Sequence, residues 1–315
     1  MRKLWLMSSM AAMALMSATG VQAASSIQFD TNGSAPGGVI TVDTFDWAPD
    51  NALIVNGATP GTTTVQVVAQ ASLSTFITAT TPQTFTSPAP GTEYTFQLTM
   101  TETVTGIGTS SVALTPTSGT LNIYYDPTAD ANQLAGTGYG GGGDAVLILT
   151  GSIVPGPSSN GTFTDLTLLS PASFPLSPLD QFTGAGTNYP NVLSDTGSGN
   201  TNLAFHVTFA DPTFFLSDIT TLVIGLQDSS NNTTPFKQAD PAAQVVGITP
   251  VFTSTAGGLV NGQPNQCAQG VRCDFLIQTD ASSSFNPTSV PEPGTLALLS
   301  LGLLGAGFTW RRKMH

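Results

Sequence analysis

Tyr94-Thr95-Phe96-Gln97-Leu98-Thr99-Met100-Thr101 sets a large apolar side chain at every second position. A strand repeats its face every two residues and a helix every 3.6, so this octapeptide predicts a strand with one face in a core and one toward water. Leu203, Phe205, Val207 and Phe209 repeat the pattern, with Ala204, His206, Thr208 and Ala210 between them. Strand-like runs of the same kind occur at 39–47, 63–69, 120–125, 145–154, 163–169, 222–227, 245–252 and 274–279. Turn chemistry separates them: Gly91, Asp126-Pro127, the glycines between 136 and 143, Pro155-Gly156-Pro157, Asp211-Pro212 and Asn231-Asn232. About ten strands with short breaks predict an all-β body, an antiparallel β-sandwich of jelly-roll-like form. A looser middle is expected from Ser170 to Asn202, where proline, glycine and serine dominate. No amphipathic helix interrupts the body, and the absence of a fixed-period repeat argues against a propeller or β-helix.

The charge balance narrows the partners. The chain has 315 residues, with 7 lysines and arginines against 19 acids. Between residues 24 and 290 only Lys237 and Arg272 are basic, while every acid except Glu292 lies in that span. Nucleic acid and anionic lipid are excluded as partners, because binding either depends on basic side chains neutralising phosphate. Cations and neutral glycans suit such a surface, whose solubility rests on Thr, Ser, Asn, Gln and Gly.

Catalytic chemistry is thinly supplied. His206 is the one histidine of the body and falls on the polar side of a strand, where a surface residue is expected rather than a triad base. Asp195-Thr196-Gly197-Ser198 resembles half of an aspartic-protease signature, but Asp228-Ser229-Ser230 lacks the glycine its second loop requires. Glu93 and Glu102 are the only glutamates of the body, and nothing in the sequence pairs them with an aspartate as a glycosidase would require. No cofactor is expected. A structural calcium site is the one candidate, drawn from Asp30, Asn32, Ser34 and Asp43: the first three alternate like the start of an EF-hand loop, although Thr41 stands where its closing glutamate belongs. Aromatic rings can stack on sugars, and Tyr139 in the glycine loop and Tyr189 in the loose middle are the expected exposed glycan contacts. Trp47 is expected half inside. Cys267 and Cys273 are the only cysteines, and outside the cytoplasm so close a pair reads as one local disulfide.

The two ends read as processing segments. Arg2 and Lys3 precede an apolar stretch from Leu4 to Met16, and Val21-Gln22-Ala23 places small residues before a cut between Ala23 and Ala24. This predicts a secretory signal over residues 1–23 and a body over 24–288. Residues 289–315 hold Val290-Pro291-Glu292-Pro293, an uncharged apolar run ending at Trp310, and a terminal cluster of Arg311, Arg312 and Lys313. As a helix the run just spans a thin bilayer, and the basic cluster places its own end on the cytoplasmic side.

That tail resembles the PEP-CTERM sorting signal, matched at Val290, Pro291, Glu292, Pro293, Arg311 and Arg312. The resemblance implies that an exosortase, a membrane-embedded cysteine transpeptidase, cuts near the motif. The body is then handed to the envelope, cell surface or extracellular matrix of a Gram-negative bacterium, the helix being its membrane contact beforehand. The stretches from Ile27 to Trp47, Tyr124-Tyr125-Asp126 and Leu134 to Tyr139 are similar to the flocculation-associated members of that group. This second resemblance implies a non-enzymatic protein that promotes aggregation, floc or biofilm formation with exopolysaccharide or other matrix glycans. A secreted carbohydrate-binding module without a matrix role, and a secreted hydrolase, are the competing readings.

Overall fold

The computed structural model describes residues 26–34, 37–55, 63–78, 82–106, 109–133, 136–140, 143–165, 197–220, 222–231, 237–238, 259–260 and 275–285. Their elements are all strands: β1 Ile27–Asp30, β2 Val39–Val42, β3 Thr44–Trp47, β4 Asp50–Val55, β5 Thr64–Ile77, β6 Phe85–Thr86, β7 Glu93–Thr105, β8 Ser111–Asp126, β9 Val146–Ile153, β10 Asn160–Asp165, β11 Gly197–Ala210, β12 Val223–Asn231, β13 Lys237–Gln238, β14 Leu259–Val260 and β15 Phe275–Ser284. The pairings that define them are antiparallel, in keeping with the all-β antiparallel expectation.

The main sheet closes on itself. β11 pairs with β12, β12 with β15, β5 with β7 and β7 with β8. β15 is shared end to end, with Phe275 to Thr279 on β4 and Ser282 to Ser284 on β3, and both β3 and β4 return to β5. On the other side β8 and β11 are each divided between β9 and β10. Long strands that change partner along their length therefore turn the expected sandwich into a closed ring, and closure leaves no long unpaired edge.

Alternation fills the ring. Tyr94, Phe96, Leu98, Met100 and Val104 of β7 face inward and are buried, as are Leu203, Phe205 and Val207 of β11. A bulge between Val207 and Phe209 then breaks the register, and Phe209, expected inside on alternation, is 42% exposed. One half of the interior is an aromatic plug. Phe29 has no exposed surface, and its ring lies 5.1 Å from Phe45, 5.4 Å from Phe76, 5.8 Å from Tyr94 and 5.1 Å from Phe215 between centroids. Several of these pairs are edge-to-face, the arrangement ring quadrupoles favour. Trp47 is buried rather than half inside, because its indole Nε1 donates to Ser283 Oγ at 2.7 Å and so needs no water.

Other expectations shift in detail. The run expected at 163–169 begins earlier, at Asn160, and is strand through Asp165, with 166–169 outside the described residues. Residues 197–202, expected in the loose middle, belong to β11 and pair with β10, while 170–196 lie outside the described residues. The run at 63–69 continues to Ile77. The strand expected at 245–252, both terminal segments, Tyr189 and the Cys267 and Cys273 pair lie outside the described residues.

Phe29→Ala is expected to lower unfolding free energy by about 3–5 kcal/mol, because five rings lose a common neighbour. Phe85→Ala, at a residue 66% exposed, should stay within about 0.5 kcal/mol. Urea unfolding followed by fluorescence measures both.

Candidate functional site

Three places concentrate chemistry: an uncharged outer face, an acidic loop cluster and a buried carboxyl pair.

The outer face spans β8, β9 and β11. With Leu121 and Ile123 buried, β8 turns Thr120, Asn122 and Tyr124 outward. Register sets Ser152 between Thr120 and His206, Thr150 between Asn122 and Phe209, and Leu147 beside Tyr124. Thr150 Oγ1 donates to Asn122 Oδ1 at 3.0 Å, and Thr208 Oγ1 to the Thr150 carbonyl at 3.1 Å. Leu147 is 36% and Phe209 42% exposed. Hydroxyls, an amide, an imidazole and apolar faces thus share one pleated surface whose named positions carry no carboxylate. His206 is exposed there, as alternation predicts.

The acidic cluster gathers at the start of β7 and the end of β8. Glu93, Asp126 and Asp130 each bring a carboxylate oxygen within 4.8 Å of the others, and these are the residues that could hold a hard cation. Local turns build the cluster. Glu93 Oε1 accepts from the amides of Asp130 and Ala131, both at 2.8 Å, and Asp126 Oδ1 accepts from the Thr128 amide at 2.8 Å. Burial raises the Glu93 carboxyl above the usual range, with the two amides opposing it, and burial likewise raises Asp126, with Asp144 and Asp130 adding repulsion.

The expected calcium set does not converge. Asp30 Oδ1 accepts from the Asn32 amide, and Asn32 Oδ1 accepts from both the amide and the hydroxyl of Ser34, so these oxygens close consecutive turns, while Asp30 Oδ2 is buried without a hydrogen-bond partner. Asp43 follows Val42, whose register partner is Ile27, so it stands at the opposite end of the β1–β2 hairpin from Asp30. At about 3.3 Å per residue that separation is about 10 Å.

Tyr139 is corrected too. It is 2% exposed, its hydroxyl donates to Asp50 Oδ2, and its carbonyl accepts from Gln97 Nε2. Gly140 is what allows the close approach: at φ 106°, any Cβ there would lie 2.8 Å from Gln97 Cδ. The glycine loop is therefore packed onto β7, and the tyrosine ring is unavailable for stacking on a sugar.

The third place was missed from sequence. Asp228 lies within β12 on the inward side with Ile224 and Leu226. Its Oδ1 is buried although part of the residue remains exposed. Glu102, 2% exposed, occupies the inward side of β7 between Met100 and Val104. The available signal was Glu102 standing in phase with the apolar positions of its own run.

A family model described as the PEP-CTERM protein-sorting motif matches residues 289–313. No curated protein matches the chain. The chain thus carries a PEP-CTERM sorting signal, the mark of an exported surface protein processed by an exosortase.

Desolvation pushes Glu102 up to about 7 and, with repulsion from Asp280 and Glu102, pushes Asp228 up to about 8. The folded form keeps these protons while the unfolded chain releases them near the ordinary 4.5 and 3.8. Their stabilisation is complete below those ordinary values and is lost as pH rises through the folded ones. In chelator, unfolding midpoints are expected to fall between about pH 5 and 8, and Glu102→Gln should flatten that fall.

Proposed function

We propose that this chain is a non-enzymatic, exported surface or matrix protein that promotes cell aggregation by holding neutral exopolysaccharide. The sorting signal supports delivery. The observation that carries the rest is the uncharged face of β8, β9 and β11, where Tyr124, Leu147 and Phe209 alternate with Asn122, Thr150, Ser152, His206 and Thr208.

Physical chemistry connects that face to glycans. A pyranose has an apolar face and a rim of hydroxyls, so it pairs with a half-exposed ring flanked by neutral donors and acceptors. A broad, shallow face binds each sugar weakly and gains from repetition along a polymer, since further contacts follow at high effective concentration. Many copies on many cells then cross-link one polymer. An acidic surface elsewhere keeps the protein soluble and away from nucleic acid. Binding without turnover also fits the placing of functional groups: His206 stands exposed on the outer face, and Glu93 is tied to the amides of its own loop.

Deleting the gene is expected to slow the settling of cells, and the full chain should restore flocs while a version ending at Ser289 leaves the protein in the medium and flocs absent. Phe209→Ala combined with Tyr124→Ala should weaken retention on purified exopolysaccharide by about tenfold or more with the unfolding midpoint nearly unchanged. Unchanged settling after deletion, with glycan retention intact, would instead support a secreted carbohydrate-binding module without a matrix role.

A further inference from the structure

We propose that the interior of the ring between Glu102 on β7 and Asp228 on β12 is a binding site for a hard divalent cation, with calcium the ion that fits it.

The two carboxyls stand on opposite walls. In the ring, β12 reaches β7 through β15, β3 or β4, and β5 in one direction, and through β11, β9 or β10, and β8 in the other. Both side chains lie on the inward parity of their strands, and the field of Glu102 acts on Asp228. Glu102 Oε1 and Asp228 Oδ1 are buried without a hydrogen-bond partner. Thr201, the register partner of Asp228, is buried on the same side, and Thr279 of β15 is buried on the inward parity as well. Across from Thr201 stands Gly161, where a Cβ would lie 2.6 Å from Thr201 Oγ1, so glycine leaves that hydroxyl its place.

What neutralises the pair must come from outside the sheet. No strand of the large sheet carries a lysine or arginine. The neighbours of Asp228 are Thr201 on β11 and Ala281 on β15, with the Asp280 amide donating to its carboxyl and the Asp280 carboxylate adding repulsion; those of Glu102 are Val65 on β5 and Pro116 on β8. Leaving two such carboxylates ionised and unpaired works against the fold, because desolvation is not repaid by a partner. One divalent ion removes both charges together. The donors are carboxylates and hydroxyls, which select hard cations over soft ones, and calcium accepts a more flexible oxygen shell than the octahedron magnesium demands. The exposed part of Asp228 leaves the site a route to solvent.

The test uses the full chain in mild detergent, stripped with EDTA and unfolded thermally at pH 8 with and without millimolar calcium. Calcium is expected to raise the midpoint by about 5 °C or more. Glu102→Gln and Asp228→Asn should each lose that increment, Glu93→Gln should keep it, and Glu102→Gln in EDTA should melt above the unsubstituted chain. A second reading needs neither interior variant: adding calcium at pH 7 to the Glu93→Gln chain should release protons from the interior carboxyls. An increment that survives in both interior variants, or that vanishes in Glu93→Gln, overturns the site. So does the absence of proton release from the Glu93→Gln chain.

Discussion

Closure of the hydrogen-bonded ladder is the constraint on which the rest of the molecule depends. It works because β5, β8, β11 and β15 are each long enough to serve two partners in succession. Bulges at Asp46/Trp47, Ile123/Tyr124 and Val207/Phe209 supply the bends that such sharing requires. The same bulges decide what faces water. Phe209 is turned out by one of them, and the uncharged face exists because of that turn.

The second organising fact is the near absence of cations. Several acids are satisfied locally: Asp211 and Asp218 accept from the amide and hydroxyl of the threonine two residues on, and the more buried Glu93 and Asp126 accept amides of their own loop. Those bonds lower the Asp218 carboxyl below its usual range, whereas burial raises Glu102 and Asp228. The contrast separates acids that make turns from acids that face the core. Only the latter require a counter-charge, whether a proton or an ion.

The strand pattern was readable because alternation is local: the inward residues of β7 are those its octapeptide names. The packed glycine loop was not readable, since Tyr139 finds Asp50 across 89 positions of sequence. The expected calcium residues failed for the same reason. Spacing along the chain placed Asp43 near Asp30, but the hairpin between them carries the two to opposite ends. The face of β8, β9 and β11 was partly legible, through His206 and Tyr124, yet its central ring was assigned to the core.

By itself the sequence determined the strand class, the shortage of basic residues and the sorting signal, because periodicity, charge count and a short linear motif are properties of neighbouring residues. Tertiary structure alone decided the closure of the ring, the burial of Tyr139, the exposure of Phe209 and the meeting of Glu102 with Asp228. Each of these turns on which strand lies beside or across from which, and register between segments far apart in sequence is set by packing energies that no local pattern encodes.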